Sequence, residues 1–321
     1  MSGPLKSRRK QVEGVPPNLE DVAREVEAQP AALSGSLERK IGRAAPGSLF
    51  VGAGDSYACA LAAQHLSEGM VLALDPYSLL ASEGFAKGRE VYFISVSGRT
   101  RSNIAAARVT RRVAARTFTI TSEPESPLAK ATDETLELPY SYIPRMPGTL
   151  SFALSLLTTI KLSCGPISCN FSRLFSDARE STKALFSESG TTYFLGNGPI
   201  HAVSLYSSLK VFEVLGSKSA AELLEEFGHA ILFSLRTGDA VDIYGAFDPA
   251  KVGKRLASSL RLEGFNSRLL PDSGRNKFES VFYAAFLSQL SVLKEARSRR
   301  LESPHLVNAE RGLKLSDSMI Y

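Results

Sequence analysis

The 321-residue chain has no tryptophan, three cysteines, four histidines and four methionines. Cys59, Cys164 and Cys169 are an odd and sparse set, which excludes a disulfide framework, and with no histidine near Cys164 they do not spell a zinc site. Cys59 reads as a packing residue. Long apolar runs are also missing. The most apolar stretch, residues 150–162, carries Ser151, Ser155, Thr158, Thr159 and Lys161 and falls short of the roughly 20 residues a bilayer span needs. The N-terminus is basic at Lys6, Arg8, Arg9 and Lys10 but has no apolar core behind those residues, so no secretory signal is read and a cytoplasmic protein is expected. Side-chain amides are scarce, 11 Asn plus Gln against 24 Arg and 14 Lys, a composition poor in thermolabile groups that points to a hot habitat. Strong charge of one sign is absent as well: 38 Lys+Arg against 33 Asp+Glu leave +5. That mild excess suits an anionic small molecule as well as nucleic acid and does not choose between them. The arginine clusters at 108–116 and 297–300 read as solvated helix faces, so neither nucleic acid nor a membrane is expected as a partner.

What the chain does have is alternation. Short apolar runs at 48–52, 70–74, 90–95, 116–121 and 135–138 alternate with helix-period segments near 57–67, 76–82, 102–113 and 149–163. This βα alternation predicts an α/β fold, a parallel sheet covered by helices on both faces. Cys164-Gly165-Pro166 breaks the pattern, a helix over 171–186 is expected next, and a second series follows. Its expected strands are 192–196, 240–247 and 267–270, and its expected helices 200–215, 220–226, 249–263 and 275–297. The chain therefore divides into an N-terminal helical extension (1–44), a first domain (45–164), a second (165–300) and a tail of little periodicity (301–321). An internal repeat supports the division: Phe50-Val-Gly-Ala-Gly-Asp-Ser-Tyr57 returns as Phe194-Leu-Gly-Asn-Gly-Pro-Ile-His201. Ligands are expected outside the carboxyl ends of such strands, where glycines let the backbone approach and the next helix offers free N–H groups.

The turn Gly52-Ala53-Gly54-Asp55-Ser56-Tyr57 begins like a dinucleotide fingerprint, with Asp75 near the place of a ribose-binding acid. Tyr57 stands where the third glycine is needed, so a single phosphate fits better than a dinucleotide. Gly54, Asp55 and Ser56 are its candidate ligands, although Ser56 could be an ordinary helix cap. The second loop is richer: Ser95, Ser97, Thr100 and Ser102 crowd one helix start around Gly98. A cap needs one hydroxyl, and four look like a cradle for a phosphate monoester. Arg99 and Arg101 could add charge or simply be solvated. In the second half no hydroxyl cluster recurs. Instead Tyr206, Lys210 and Glu213 form a helical stripe able to face a ligand, or else a plain Lys–Glu surface pair. His229 follows sixteen residues after Glu213. It is either a structural histidine or, with the carboxylate, part of an acid–base pair for a carbon acid.

These motifs resemble the sugar isomerase (SIS) family in its two-domain form, over roughly residues 45 to 310. Ser95, Ser97, Gly98 and Thr100 match the Ser-x-Ser-Gly-x-Thr phosphate loop in the isomerase half of glucosamine-6-phosphate synthases. Gly54-Asp55-Ser56-Tyr57 is similar to their Gly-Thr-Ser-Tyr loop. Leu209-Lys210-Val211-Phe212-Glu213 and Glu226-Phe227-Gly228-His229 keep their Leu-Lys-x-x-Glu and Glu-x-x-His spacing. Archaeal bifunctional phosphoglucose/phosphomannose isomerases look similar too, with a Pro-Arg matched by Pro144-Arg145. The resemblance implies two tandem domains of flavodoxin-like type, three-layer sandwiches in which a parallel sheet is flanked by helices. It also implies that Glu213 moves a proton between C1 and C2, that His229 assists ring opening and that Arg145 steadies an enediolate. No metal or organic cofactor is implied, and a homodimer is. Ala230 and Tyr206 depart from the synthase pattern and no glutamine-hydrolysing domain precedes residue 45, which argues against synthase activity; Lys314 is a loose match to the synthase's Schiff-base lysine. The expected activity is aldose–ketose isomerisation of a hexose 6-phosphate. The rivals are a glucosamine-6-phosphate deaminase and a non-catalytic sugar-phosphate sensor.

Overall fold

The computed structural model describes residues 16–182 and 186–321; the basic residues at 6–10 lie outside the described residues, as do 183–185 of the helix expected over 171–186, which ends earlier, at Glu180. The described chain opens with α1 (Leu19–Leu37), started by a capping box in which Asn18 and Asp21 bond each other's backbone N–H. The first sheet is built from β1 (Ser48–Val51), β2 (Val71–Leu74), β3 (Glu90–Ile94), β4 (Arg116–Thr121) and β5 (Glu134–Glu137). All pairs are parallel and the order is β2-β1-β3-β4-β5, the flavodoxin order. Between the strands run α2 (Asp55–Leu66), α3 (Pro76–Ala81) and α4 (Arg101–Thr110). Asp75 caps α3 and Pro76 occupies its first turn. Every residue of β1 is buried, as a central parallel strand covered on both faces requires.

After α5 (Leu150–Cys164), Gly165 ends the helix with φ +83°. The second series comprises α6 (Phe171–Glu180), β6 (Thr191–Leu195), α7 (Pro199–Lys210), β7 (Lys218–Glu222), α8 (Leu224–His229), β8 (Ala240–Tyr244), α9 (Val252–Leu262), β9 (Asn266–Leu270) and α10 (Lys277–Ser298). Its parallel sheet, β7-β6-β8-β9, repeats the first order with one strand fewer. The chain then adds α11 (His305–Asn308) and α12 (Glu310–Met319).

Two sequence expectations are corrected here. The helix expected over 220–226 is in its first part the strand β7: alanine and glutamate favour helix, but pairing of Ala220 with Tyr193 and Ala221 with Phe194 on the sheet edge overrides that weak preference. The aperiodic tail is helical in α12, which has no buried residue and so shows no core-facing stripe of the usual kind. Between the sheets lies one continuous core, drawn from α1, α2, α5, α6, α7 and α10, in which Phe152 stacks on Tyr206 and Phe171 and Phe175 meet Phe282 and Phe286 edge-on. No helix among the described residues is long and apolar enough to cross a membrane.

Candidate functional site

The turns at the carboxyl ends of β1 and β3 open on one cavity of about 920 Å³. Both turns depend on glycine. Gly54 sits at φ +58° before α2, and a Cβ on Gly52 would lie 2.7 Å from the Ser56 side chain. Gly98 also sits at φ +58°, and a Cβ there would come within 2.0 Å of Ser126 Oγ. The second loop is braced from behind: Thr121 and Ser122 donate their hydroxyls to the Val96 carbonyl at 2.9 and 3.0 Å. That bracing leaves Ser95, Ser97 and Thr100 on the cavity wall with Ser56. Ser95 and Ser97 are buried, Ser95 Oγ lies 3.5 Å from Thr100 Oγ1, and the Arg99 N–H donates to Ser97 Oγ at 3.3 Å. Thr100 begins α4 without capping it through its side chain. Hydroxyls and the positive end of a helix thus converge where a phosphate monoester would be held. Arg99 lines the cavity, whereas Ser102 does not. Arg101 turns to the C-terminal segment, donating to the Ser318 carbonyl at 2.7 Å and to that of Tyr321.

Across the cavity stands a cluster of three ionisable groups from both halves. Lys210 Nζ donates to Asp55 Oδ2 at 2.8 Å and also to Glu213 Oε2. Asp55 and Glu213 line the cavity; Lys210 is 1 % exposed and stands behind them. The expected Tyr206–Lys210–Glu213 stripe therefore does not face a ligand as a unit. Tyr206 is fully buried, its hydroxyl donating to the Gly148 carbonyl at 2.8 Å, and only Glu213 emerges. A π-helical turn over Val211–Leu215 follows α7 at this point and carries Glu213, an irregularity frequent at functional sites. Burial alone would discharge Lys210, but Asp55 and Glu213 outweigh it and its pKa is raised, so it stays an ammonium. Asp55 is driven the other way: burial, aided by Glu213 and opposed by Lys210, pushes its carboxyl up to about 7. Gly148 makes room for it, since a Cβ there would meet Asp55 Oδ2 at 2.0 Å.

Asp55 was expected in the phosphate cradle beside Gly54 and Ser56, and its carboxylate lies instead in the lysine cluster. The readable signal was the substitution itself, an acid where the similar loop has threonine. Arg145 lines the same cavity from the segment before α5, in a left-handed conformation with φ +62°. His229 does not join these groups. It ends α8 with its side chain 71 % exposed and Nε2 3.1 Å from Glu225 Oε1, outside the cavity lining. Lys314 is exposed on α12 and also outside it. The residues that sequence reasoning missed are on the tail: Leu313, Ser316, Asp317 and Tyr321 form one wall of the cavity.

The family model for the SIS domain matches residues 46–160. No curated protein matches the chain in sequence. Among solved structures, glucosamine-6-phosphate deaminase from Thermotoga maritima superposes with a TM-score of 0.70 at 23 % identity, covering 88 % of this chain and 96 % of that one. The C-terminal domain of glucosamine-fructose-6-phosphate aminotransferase from Francisella tularensis gives 0.65 at 16 % identity, covering 88 % and 97 %. Tagatose-6-phosphate ketose/aldose isomerase from Escherichia coli gives 0.65 at 16 % identity, covering 90 % and 97 %. Residues 46–160 match the SIS domain, in a chain that shares its fold with these structures over most of its length.

Proposed function

We propose that the protein is a phosphosugar isomerase that interconverts an aldose 6-phosphate and its ketose through a cis-enediolate. The observation that carries this reading is the shared cavity, with the hydroxyl cradle of the first half on one wall and Glu213 of the second half on another. The phosphate would take Ser56, Ser95, Ser97 and Thr100 as donors, and the chemistry would occur at the far end of the sugar. Glu213 is the base in this proposal, taking the hydrogen at C2 as a proton and returning it to C1. Lys210, bonded to Glu213 and held charged, fixes that carboxylate in place. Arg145 supplies positive charge for the oxyanion that builds as the C–H bond breaks. One carbon is oxidised as its neighbour is reduced, so the reaction needs no external electron acceptor.

A second reading is favoured by the 23 % identity to the deaminase from Thermotoga maritima. Abstraction of the same proton from an amino sugar, its return to C1 and hydrolysis of the resulting C2 imine by water, which releases ammonia, would make this chain a glucosamine-6-phosphate deaminase. Incubating the protein with fructose 6-phosphate and separately with glucosamine 6-phosphate, then assaying glucose 6-phosphate and ammonia, decides between them. Glucose 6-phosphate from the first incubation, with no ammonia from the second, is the expected result. Ammonia from the second would replace the isomerase with the deaminase, and binding without either product would reduce the protein to a sensor.

A further inference from the structure

We propose that Asp55 is a catalytic acid–base residue of this site, moving the hydroxyl proton between O1 and O2 while Glu213 moves the carbon-bound one. The inference rests on the isomerase reading above, and it arises from a gap in that reading. Isomerisation relocates two hydrogens, one on carbon and one on oxygen, and His229, the other proton carrier expected near the site, is not on the cavity wall. Asp55 is. Its Oδ2 is held by Lys210 at 2.8 Å, whereas its Oδ1 is buried and has no hydrogen-bond partner. A buried carboxylate oxygen without a donor is costly. A sugar hydroxyl entering the cavity supplies the missing partner.

Lys210 also fixes the spacing. Asp55 and Glu213 bond the same ammonium, so their carboxylates lie within about two hydrogen-bond lengths of each other, near enough to serve adjacent atoms of one substrate. Lys210 itself is a poor candidate for the transfer. It is set back from the cavity, and the two carboxylates strengthen its hold on its proton. Asp55, by contrast, titrates about 7 and can both give and take a proton near neutrality. The other ionisable groups around the cluster are Tyr206 on α7, Cys59 one turn along α2, and Arg99, Tyr140, Tyr142, Arg145, Asp317 and Tyr321 on the cavity wall. Burial raises the pKa of both Tyr206 and Cys59 well above its ordinary value, which leaves them protonated at neutral pH.

The steps balance. Glu213 takes the C2 hydrogen as a proton, the C2–H electrons forming the C1=C2 bond of the cis-enediolate as the C1=O π pair moves onto O1. Protonated Asp55 gives its proton to that O1 oxyanion, forming the O1–H bond. Asp55 then takes the O2 proton as Glu213 delivers its own to C1. Both carboxyls end as they began. The reverse reaction uses the same two protonation states, so in either direction Asp55 must start protonated.

The test is the pH dependence of kcat/KM for fructose 6-phosphate, in the wild type and in Asp55→Asn. The wild type is expected to lose activity as pH rises through about 7. Asp55→Asn is expected to fall at least about a hundredfold at pH 6.5, the lower end of acid–base contributions, and to lack that alkaline limb. The second ionisation of the substrate phosphate, near pH 6, shapes the acid side of both profiles alike. Binding of a hexitol 6-phosphate, which has no carbonyl to react, should stay within about threefold, and formate should restore part of the activity of Asp55→Ala. A wild-type profile flat from pH 6 to 8.5, or an Asp55→Asn variant with the wild-type rate or the wild-type limb, overturns the role of Asp55 and leaves the isomerase standing. A wild type that binds the hexitol phosphate yet turns over no hexose phosphate removes the isomerase reading, and this inference with it.

Discussion

The loop after β3 and the loop after β8 occupy corresponding places in the two sheets, and they differ in what stands at the helix start. After β3, the chain supplies Ser95, Ser97 and Thr100, and α4 starts without a side-chain cap. After β8, it supplies Asp248, whose carboxylate accepts the N–H groups of Gly253 and Lys254 at 2.8 and 3.1 Å. The second loop thus carries its own anion to the head of α9. The first loops of the two halves have stayed alike. Gly54 and Gly198 have φ +58° and +54°, and a Cβ on Gly52 or Gly196 would strike the helix that follows. Loops in matching places of the two sheets thus differ in the side chains at the helix start, hydroxyls in one and a carboxylate in the other. The second half instead contributes Glu213 to the cavity of the first, with Lys210 bonded behind it.

That division of labour makes separable predictions. Glu213→Gln keeps the shape of the second half's contribution and removes its base. Turnover should drop by at least about a hundredfold while hexitol 6-phosphate still binds, and solvent deuterium should no longer enter C2 of the aldose product. A variant that still exchanges that hydrogen at the wild-type rate would return Glu213 to a plain ion pair. Ser97→Ala attacks the first half instead. Calorimetry should show phosphosugar binding weakened by about 1 to 2 kcal/mol, since a hydrogen bond to a charged group is worth more than one between neutral groups. Unchanged affinity would erase the contrast between the two loops. Asp248→Ala should cost about 1 kcal/mol of stability, the usual worth of a helix cap, and leave that affinity untouched. A change in phosphosugar binding there would mean that the second loop takes part after all.

The cradle was legible because its information is local and dense: four hydroxyls and a glycine within eight residues have few other uses. Lys210 and Glu213 were legible as a spacing but not as a geometry. An ideal helix places them on a stripe with Tyr206, and the π-helical turn over Val211–Leu215, which no propensity announces, accompanies the emergence of Glu213 alone. The part played by Asp55 was hidden for another reason. A residue beside a phosphate-type turn reads as part of it, and only the packing of α2 against α7 brings Lys210 to its carboxylate. The edge strand β7 was lost because its Lys-Ser-Ala-Ala-Glu sequence carries no β signal, and α12 because a helix lying on the surface over a cavity has no buried stripe to count.

Glu25, midway along α1, accepts the hydroxyls of Tyr140 and Thr149 and thereby pins both ends of the segment that carries Arg145. Lys161 on α5 closes the far end of α1 by donating to the carbonyls of Ser36, Leu37 and Arg39. The stretch that reads as an extension is therefore part of the frame of the cavity, although the recognisable domain begins at residue 46. The matched residues and the mechanical frame have different borders here. A fragment cut where the similarity starts would keep the cradle sequence and lose the strut beneath the arginine.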